Sequence, residues 1–542
     1  MTTLLLGGRI HSPSHPDATA MAVRDGVVAW LGSDDVGRSQ FGDAQVVDLQ
    51  GAFVSPAFVD SHIHLTSTGL LLTGLDLTSA RTKQQCLTLV AEHAAAHPGQ
   101  PIWAHGWDDA GWARDEAPST AELDAVAGTA PAYLARIDVH SAVASAALRD
   151  LVPGLPAVAG YDPQRPLSAD AHHLVRSEAR RLLTARQRAD ARQAALDAVA
   201  AAGIVAVHEC AGPDIGGADD WQELRATSHG VEVIGYWGEA VSSAAQARAL
   251  IEATGARGLA GDLFVDGALG SHTAWLCEPY TDAPDSTGNC YLEPDGIAEH
   301  LIACTEAGVT AGFHVIGDAA VRAVVDAVAR LVERFGAPAV ARCGHRLEHL
   351  EMITAEQAAT LGQCGIIASM QPNFDALWGG STGMYAHRLG SSRAALLNPF
   401  SLLASAGVPM AFGSDAPVTS INPWATVRAA SHHQTPGSAI SARAAFAAAT
   451  RGAWRAGGER DGITGTLVPG APASYAVWDT GEVDVTAPSG GQERSDSGRR
   501  FDSVQRWSTD PRSRVPALPR LDPGDPLPQC RQTVHRGVVL HG

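Results

Sequence analysis

Apolar positions recur along this chain in two rhythms. Short apolar runs of strand length stand at 54–62, 203–208, 231–236, 260–266, 309–315, 344–349, 365–371 and 408–414. Longer stretches with helical spacing lie between them. The clearest follows Asp318, where Val321, Val324, Val325, Val328, Leu331, Val332 and Phe335 recur at short helical intervals before Gly336. That period puts them on one helix face, with Asp318 as a predicted N-cap and Gly336 as the stop. Thr354-Ala355-Glu356-Gln357 predicts a capping box opening the next helix. Strands alternating with helices predict βα-units, and eight such units close into an α/β (β/α)8 TIM barrel.

The two ends of the chain read differently. Leu4-Leu5-Leu6, Ala22-Val23-Arg24 and Val27–Leu31 surround the turn signal Asp25-Gly26, which predicts a hairpin. Tyr475–Trp478 and 531–540, interrupted at His535-Arg536-Gly537, return to this style near the C-terminus. Residues 1–54 and 463–542 therefore predict one small split β-sandwich domain, around a barrel domain at 55–462. Residues 66–200 read as an insertion after the first barrel strand, placed over the strand C-termini. The segment 485–525, rich in Pro, Ser, Gly, Asp and Arg, predicts a long exposed loop.

Composition narrows the classes. A chain of 542 residues exceeds one ordinary core, as a barrel with additions does. With 45% hydrophobic and 18% charged residues it reads as globular. The 39 Lys+Arg against 58 Asp+Glu leave a net charge of −19, which disfavours nucleic acid as a partner. No apolar run approaches the ~18 residues of a membrane span, and Leu4-Leu5-Leu6 is too little for a secretory signal. The 8 cysteines form no Cys-x-x-Cys pair, so neither a zinc ribbon nor a disulfide framework is expected. These features predict a cytoplasmic protein whose partner is a small-molecule substrate, with a homodimer left open. Lys83 is the only lysine, so any chemistry that needs one is confined to that position.

Candidate chemistry gathers at the ends of the apolar runs. In His62-Ile63-His64 both imidazoles project to one side of the first strand's C-terminal end, as a divalent metal requires. Phe313-His314 ends the fifth run, Glu348-His349 the sixth and Ser414-Asp415 the eighth. Each alone reads as a structural histidine or a helix cap. Together at the catalytic end of one barrel, four imidazoles and an aspartate predict a metal site.

With these residues in place the chain resembles the amidohydrolase superfamily of metal-dependent hydrolases, and most closely its YtcJ-like branch, the amidohydrolase-3 group. The resemblance rests also on Gly106-Trp107-Asp108 with Trp112, Asp138-Val139-His140-Ser141 and Asp266-Gly267-Ala268-Leu269-Gly270-Ser271. His314–Asp318 and Gly413–Val418 match as well. It runs over essentially the whole chain except 485–525. Many members carry a carboxylated lysine bridging two metals, but here the corresponding place is Asp262. Asp262 is thus either a ligand itself or a hydrogen-bond partner of His62 or His64. One ion is expected rather than two, and zinc first among the metals.

The resemblance implies metal-assisted hydrolysis of a C–N bond in a non-peptide amide or cyclic amide. Asp415 would act as general base and then acid, and His349 or His140 would stabilise the oxyanion. Trp107, Asp108, Asp138, Asp266 and His272 are candidate substrate contacts, although the family pattern has an arginine where His272 stands. Two rivals share the site: a metal-dependent decarboxylase or isomerase, and a degenerate member that only binds. His208-Glu209, Phe374 and Trp378 are further neighbours, the aromatics more in keeping with packing.

Overall fold

The computed structural model describes residues 2–112, 116–480, 483–484 and 516–542. Its centre is a sheet of 8 parallel strands in sequential order. These are β1 Phe58–Ile63, β2 Ile204–Ala211, β3 Glu232–Trp237 and β4 Gly258–Leu259, then β5 Thr310–Val315, β6 Arg346–His349, β7 Ile367–Met370 and β8 Met410–Phe412. The barrel closes where the chain beyond β8 meets β1. The Asp415 amide donates to the His62 carbonyl at 2.7 Å, and the Ser414 amide to the Asp60 carboxylate at 2.8 Å. Gly413 permits this approach, since a Cβ there would lie 2.5 Å from the His62 nitrogen.

The helix expected from the apolar spacing forms as Asp318–Phe335 and buries Val321, Val324, Val325, Val328 and Leu331 against the barrel. Its cap position falls on Gly317, one residue earlier than expected. Asp318 is the first helical residue and accepts from the Cys277 amide at 2.9 Å. The capping box at Thr354 and Gln357 forms as predicted.

The fourth run departs from expectation. Only Gly258–Leu259 pairs as a strand, and 260–266 continues irregularly with a single bridge from Phe264 to His314. Gly261 turns the backbone to φ +77, a conformation that ends regular pairing. Asp262 and Phe264 still reach the barrel mouth, but Asp266 turns away from it. Its carboxylate accepts backbone amides of Trp275 (2.9 Å), Ile316 (3.0 Å) and Gly317 (2.7 Å). Asp266 therefore ties loops together and does not line the cavity described below.

The chain ends form two small sheets. One has 4 strands, Val27–Gly32, Ala20–Arg24, Thr2–Leu6 and Gln45–Asp48 in spatial order. The other has 5 and joins Arg9–Ile10 and Phe53–Pro56 to Tyr475–Asp479, Gln529–His535 and Val538–His541. Leu5, Met21, Val28, Val54, Val477 and Val534 share a core between them. The predicted hairpin forms, with Asp25 at φ 51 and Gly26 at φ 76, the left-handed pair its tight turn needs. We propose the division 1–54 with 463–542 against 55–462 on this packing.

Of the segment 485–525, residues 485–515 lie outside the described residues. The rest, 516–525, is only partly exposed: Arg520 and Asp522 to Gly524 face solvent, but its leucines do not. Leu518 and Leu521 are buried in the main core, and the Arg428 guanidinium donates to the carbonyls of Leu521 (3.2 Å) and Asp525 (2.6 Å). Apolar leucines among the prolines account for the difference.

The insertion builds its own 5-stranded sheet from Leu75–Asp76, Ile102–Trp107, Ala132–Arg136, Ser141–Ala144 and Leu167–Ser168. Lys83 opens the helix Lys83–Ala96 and pairs with Glu116 and Glu122, far from any bridging role. The helix Ala185–Ala201 returns the chain to β2. It packs on Leu65–Thr73, the helix that follows His64, so closely that a Cβ on Gly69 would lie 1.8 Å from the Ala191 carbonyl. No helix among the described residues is long and apolar enough to cross a membrane.

Candidate metal centre

Each barrel strand delivers its side chain by position. His62 lies in β1 and His64 one residue past it, so strand alternation turns both imidazoles to the mouth. His314 is in β5 and pairs in register with Glu348 of β6; His349 ends β6 at φ 69. Asp415 follows β8, also left-handed at φ 53. The predicted ligands converge on Asp262. His64 Nε2 is 3.1 Å from Asp262 Oδ2, while His62 Nε2 and His314 Nδ1 are each 3.5 Å from Oδ1 and His349 Nε2 is 4.0 Å from it. Asp415 Oδ1 lies 3.4 Å from His62 Nε2 and 3.3 Å from His64 Nε2. All six side chains are buried.

The other ring nitrogens have separate partners. His62 Nδ1 meets Glu348 Oε2 at 2.9 Å and Cys210 Sγ at 3.4 Å. His349 Nδ1 meets Gln371 Oε1 at 2.8 Å, and His314 Nε2 meets the Gly267 carbonyl at 3.3 Å. Such partners orient imidazoles and raise their basicity toward a metal. Glu348 is held in turn by Arg346, whose guanidinium donates at 2.5 and 2.9 Å. Despite burial, that cation holds the Glu348 carboxyl well below its usual range. Beside it, Arg346 also meets His208 at 2.9 Å, and Glu209 accepts the Leu65 amide at 2.8 Å just past His64.

A cation fits this geometry. His62 Nε2, His314 Nδ1 and Asp262 Oδ1 are buried with no hydrogen-bond partner, a costly state that a metal ion relieves. Burial would lower the His64 pKa, yet the Asp262 and Asp415 carboxylates raise it to about 9. Burial would raise Asp262, yet His62 and His64 hold it well below the carboxylate range. The centre demands positive charge, and the nitrogen and oxygen donors suit a divalent ion.

A cavity opens over this centre, with about 640 Å³ of space between atoms, its open mouth included. His64, Asp262, His314, His349 and Asp415 form its floor. The insertion supplies the facing wall, with Trp103, Tyr133, Asp138, His140, His173 and Arg176. Asp138 is placed as expected but is occupied: it accepts from Arg136 Nη1 at 2.8 Å, Ser271 at 2.6 Å and the His140 amide at 3.2 Å. His140 stands with its ring 5.0 Å from that of His314; burial pushes its pKa down to about 3, so it is neutral.

Besides Asp266, three expected contacts do not line the cavity. Trp107 is buried, donating to the Leu134 carbonyl at 2.8 Å. Asp108 pairs with Arg136 at 2.5 Å, and His272 with Asp282 at 3.0 Å. Phe374 packs its ring parallel to His349 at 5.8 Å. Sequence reading missed Trp103, Tyr133, His173 and Arg176, because the insertion's sheet brings them to the mouth. It also missed Glu348, although the alternation of Arg346 and Glu348 within β6 would have placed both inside the barrel.

Fold and site define a (β/α)8 metal-dependent hydrolase whose donors rise from β1, β5, β6 and the β8 end. The model of the amidohydrolase family matches residues 45–541, and the chain belongs to that family. Protein LONG AFTER FAR-RED 3 of Arabidopsis thaliana is 28% identical over 518 residues, covering 88% of this chain and 87% of its own length. YtcJ of Bacillus subtilis (strain 168), named as an amidohydrolase, is 27% identical over 455 residues, 77% of this chain and 81% of that protein. Among solved structures, an uncharacterized metal-dependent hydrolase from Pyrococcus horikoshii OT3 superposes with a TM-score of 0.69 at 23% identity, covering 89% of this chain and 98% of that one.

Proposed function

We propose that this protein hydrolyses a C–N bond in a small non-peptide amide or cyclic amide, with zinc as its resident ion. The observation that carries the reading is Asp415, whose Oδ1 touches both His62 and His64 and also borders the cavity. His62, His64, Asp262 and Asp415 would hold one ion tightly. His349 clusters with His62 and Asp415 as well as with Asp262 and His314, so it would share that ion, and one ion is expected rather than two. A divalent ion supplies Lewis acidity, lowering the pKa of water to about 7 and polarising a carbonyl.

The chain's own residues do the rest. Asp415 takes a proton from the attacking water and delivers it to the leaving nitrogen as the C–O bond forms and the C–N bond breaks. His140, neutral and held from Asp138 through its amide, would donate a hydrogen bond to the developing oxyanion. The test is a screen of small amides, N-acyl amino acids and lactams with metal restored. The reading expects the acid and the amine in equal amounts, or the opened ring. Turnover yielding carbon dioxide or an isomer instead would overturn it.

A further inference from the structure

The helix Ala169–Arg181 in the insertion carries an arginine that the site described so far does not use. His172, Arg176 and Arg180 recur every four residues on one buried face of this helix. His172 turns to the Tyr133 hydroxyl at 2.9 Å, and Arg180 lies over the Trp103 ring. Arg176 is 7% exposed and lines the cavity above the metal-binding floor. Among the described residues its hydrogen bond goes to the neutral carbonyl of Asp214; the Asp214 and Asp262 carboxylates act on it only from beyond ion-pair distance. A buried guanidinium met by one carbonyl is expensive unless something else brings an anion to it.

The surroundings narrow what that something is. The neighbouring imidazoles of His173 and His140 carry no negative charge and cannot neutralise the arginine. Asp138 is already engaged by Arg136 and Ser271. Trp103, Tyr133, Ile215 and Phe264 give the same cavity aromatic and aliphatic walls. A planar guanidinium fork matches a carboxylate. We propose that Arg176 anchors a carboxylate of the substrate, whose apolar body lies along these walls and whose amide reaches the floor. The substrate class is thus a carboxylated amide with an aromatic or aliphatic body. Only the identity of the bond cut rests on the hydrolase reading above.

The test uses the metal-loaded full chain and a matched pair of probes, phenylacetate and phenylacetamide, measured by calorimetry. Wild type should bind phenylacetate roughly 10- to 100-fold more tightly than the amide, the range of a charge-assisted hydrogen bond. Arg176→Gln should lose that preference while keeping the same metal content. Arg176→Lys, which keeps the charge but not the fork, should retain only part of it and serves if the Gln variant does not fold. Equal binding of both probes by wild type, or an unchanged preference in Arg176→Gln, overturns the proposal, since the ion alone would then account for anion binding. The hydrolase reading fails separately. Arg176-dependent phenylacetate binding with no amide turned over would sustain the anchor and defeat that reading. Turnover of amides with no effect of Arg176 would do the reverse.

Discussion

Asp415 and Asp262 have different duties in the same cluster of imidazoles. Asp415 lies nearest the β1 histidines and clusters with His349 of β6, whereas Asp262 reaches histidines from β1, β5 and β6. Asp415→Asn keeps the shape but cannot accept a proton, so kcat per bound ion should fall by roughly 10² to 10⁴, the worth of general acid–base catalysis. Metal content measured beside the rate separates lost chemistry from lost ion; a normal kcat with metal in place would remove Asp415 from the mechanism. Asp262→Asn should instead weaken metal retention, read as ion per chain after dialysis. The convergence of His62, His64, His314, His349 and Asp415, the proposed ligands, was legible in the sequence because each sits at or just past a strand end, where chain order already predicts a shared rim. Asp266 does not border the cavity, because its part of the chain is not a strand and its carboxylate is taken up by the amides of Trp275, Ile316 and Gly317. Arg176 was invisible because nothing local to its helix says that a sheet formed by 102–107 and 132–136 carries it to the cavity.

At the level of elements, local patterns succeeded where the energetics are local. The helix after Asp318 and the capping box at Thr354 depend on spacing within one turn or two, and both form. The fourth barrel strand failed for the converse reason. Its apolar run matched a strand, but Gly261 and the bonds to Asp266 shape it through contacts with the loops 275 and 316–317. The helix Leu65–Thr73 carries a prediction of its own. Gly69 touches the Ala191 backbone, so Gly69→Ala must push the helix away from Ala185–Ala201. Overpacking of this kind costs about 1–3 kcal/mol. A lowered thermal midpoint with reduced metal retention is expected, because the displaced helix begins directly after His64. An unchanged midpoint would show that the two helices are looser than this contact implies.

The whole molecule works as a barrel closed by its insertion. Arg136 and Asp138 lie in the insertion, Ser271 in the loop after β4, and their bonds join the two parts. Burial would raise the Asp138 pKa, but Arg136 and other partners hold it below its unfolded value of 3.8. A depressed carboxyl contributes stability that is fully present above the unfolded pKa and is lost as pH falls toward the folded one. The thermal midpoint of wild type should therefore exceed that of Asp138→Asn at pH 5 to 7, and the gap should narrow as pH drops below about 4. A gap independent of pH would mean that Asp138 acts through packing alone.

Everything functional in this account depends on a metal ion at the mouth of that barrel. Elemental analysis of the wild-type protein beside the His62→Ala/His64→Ala double variant tests it most directly, with circular dichroism confirming that both are folded. The account predicts close to one tightly held divalent ion per wild-type chain and almost none in the folded double variant, with activity lost alongside. Full metal occupancy in the double variant, or a wild-type chain that takes up no divalent ion when supplied with one, would contradict it.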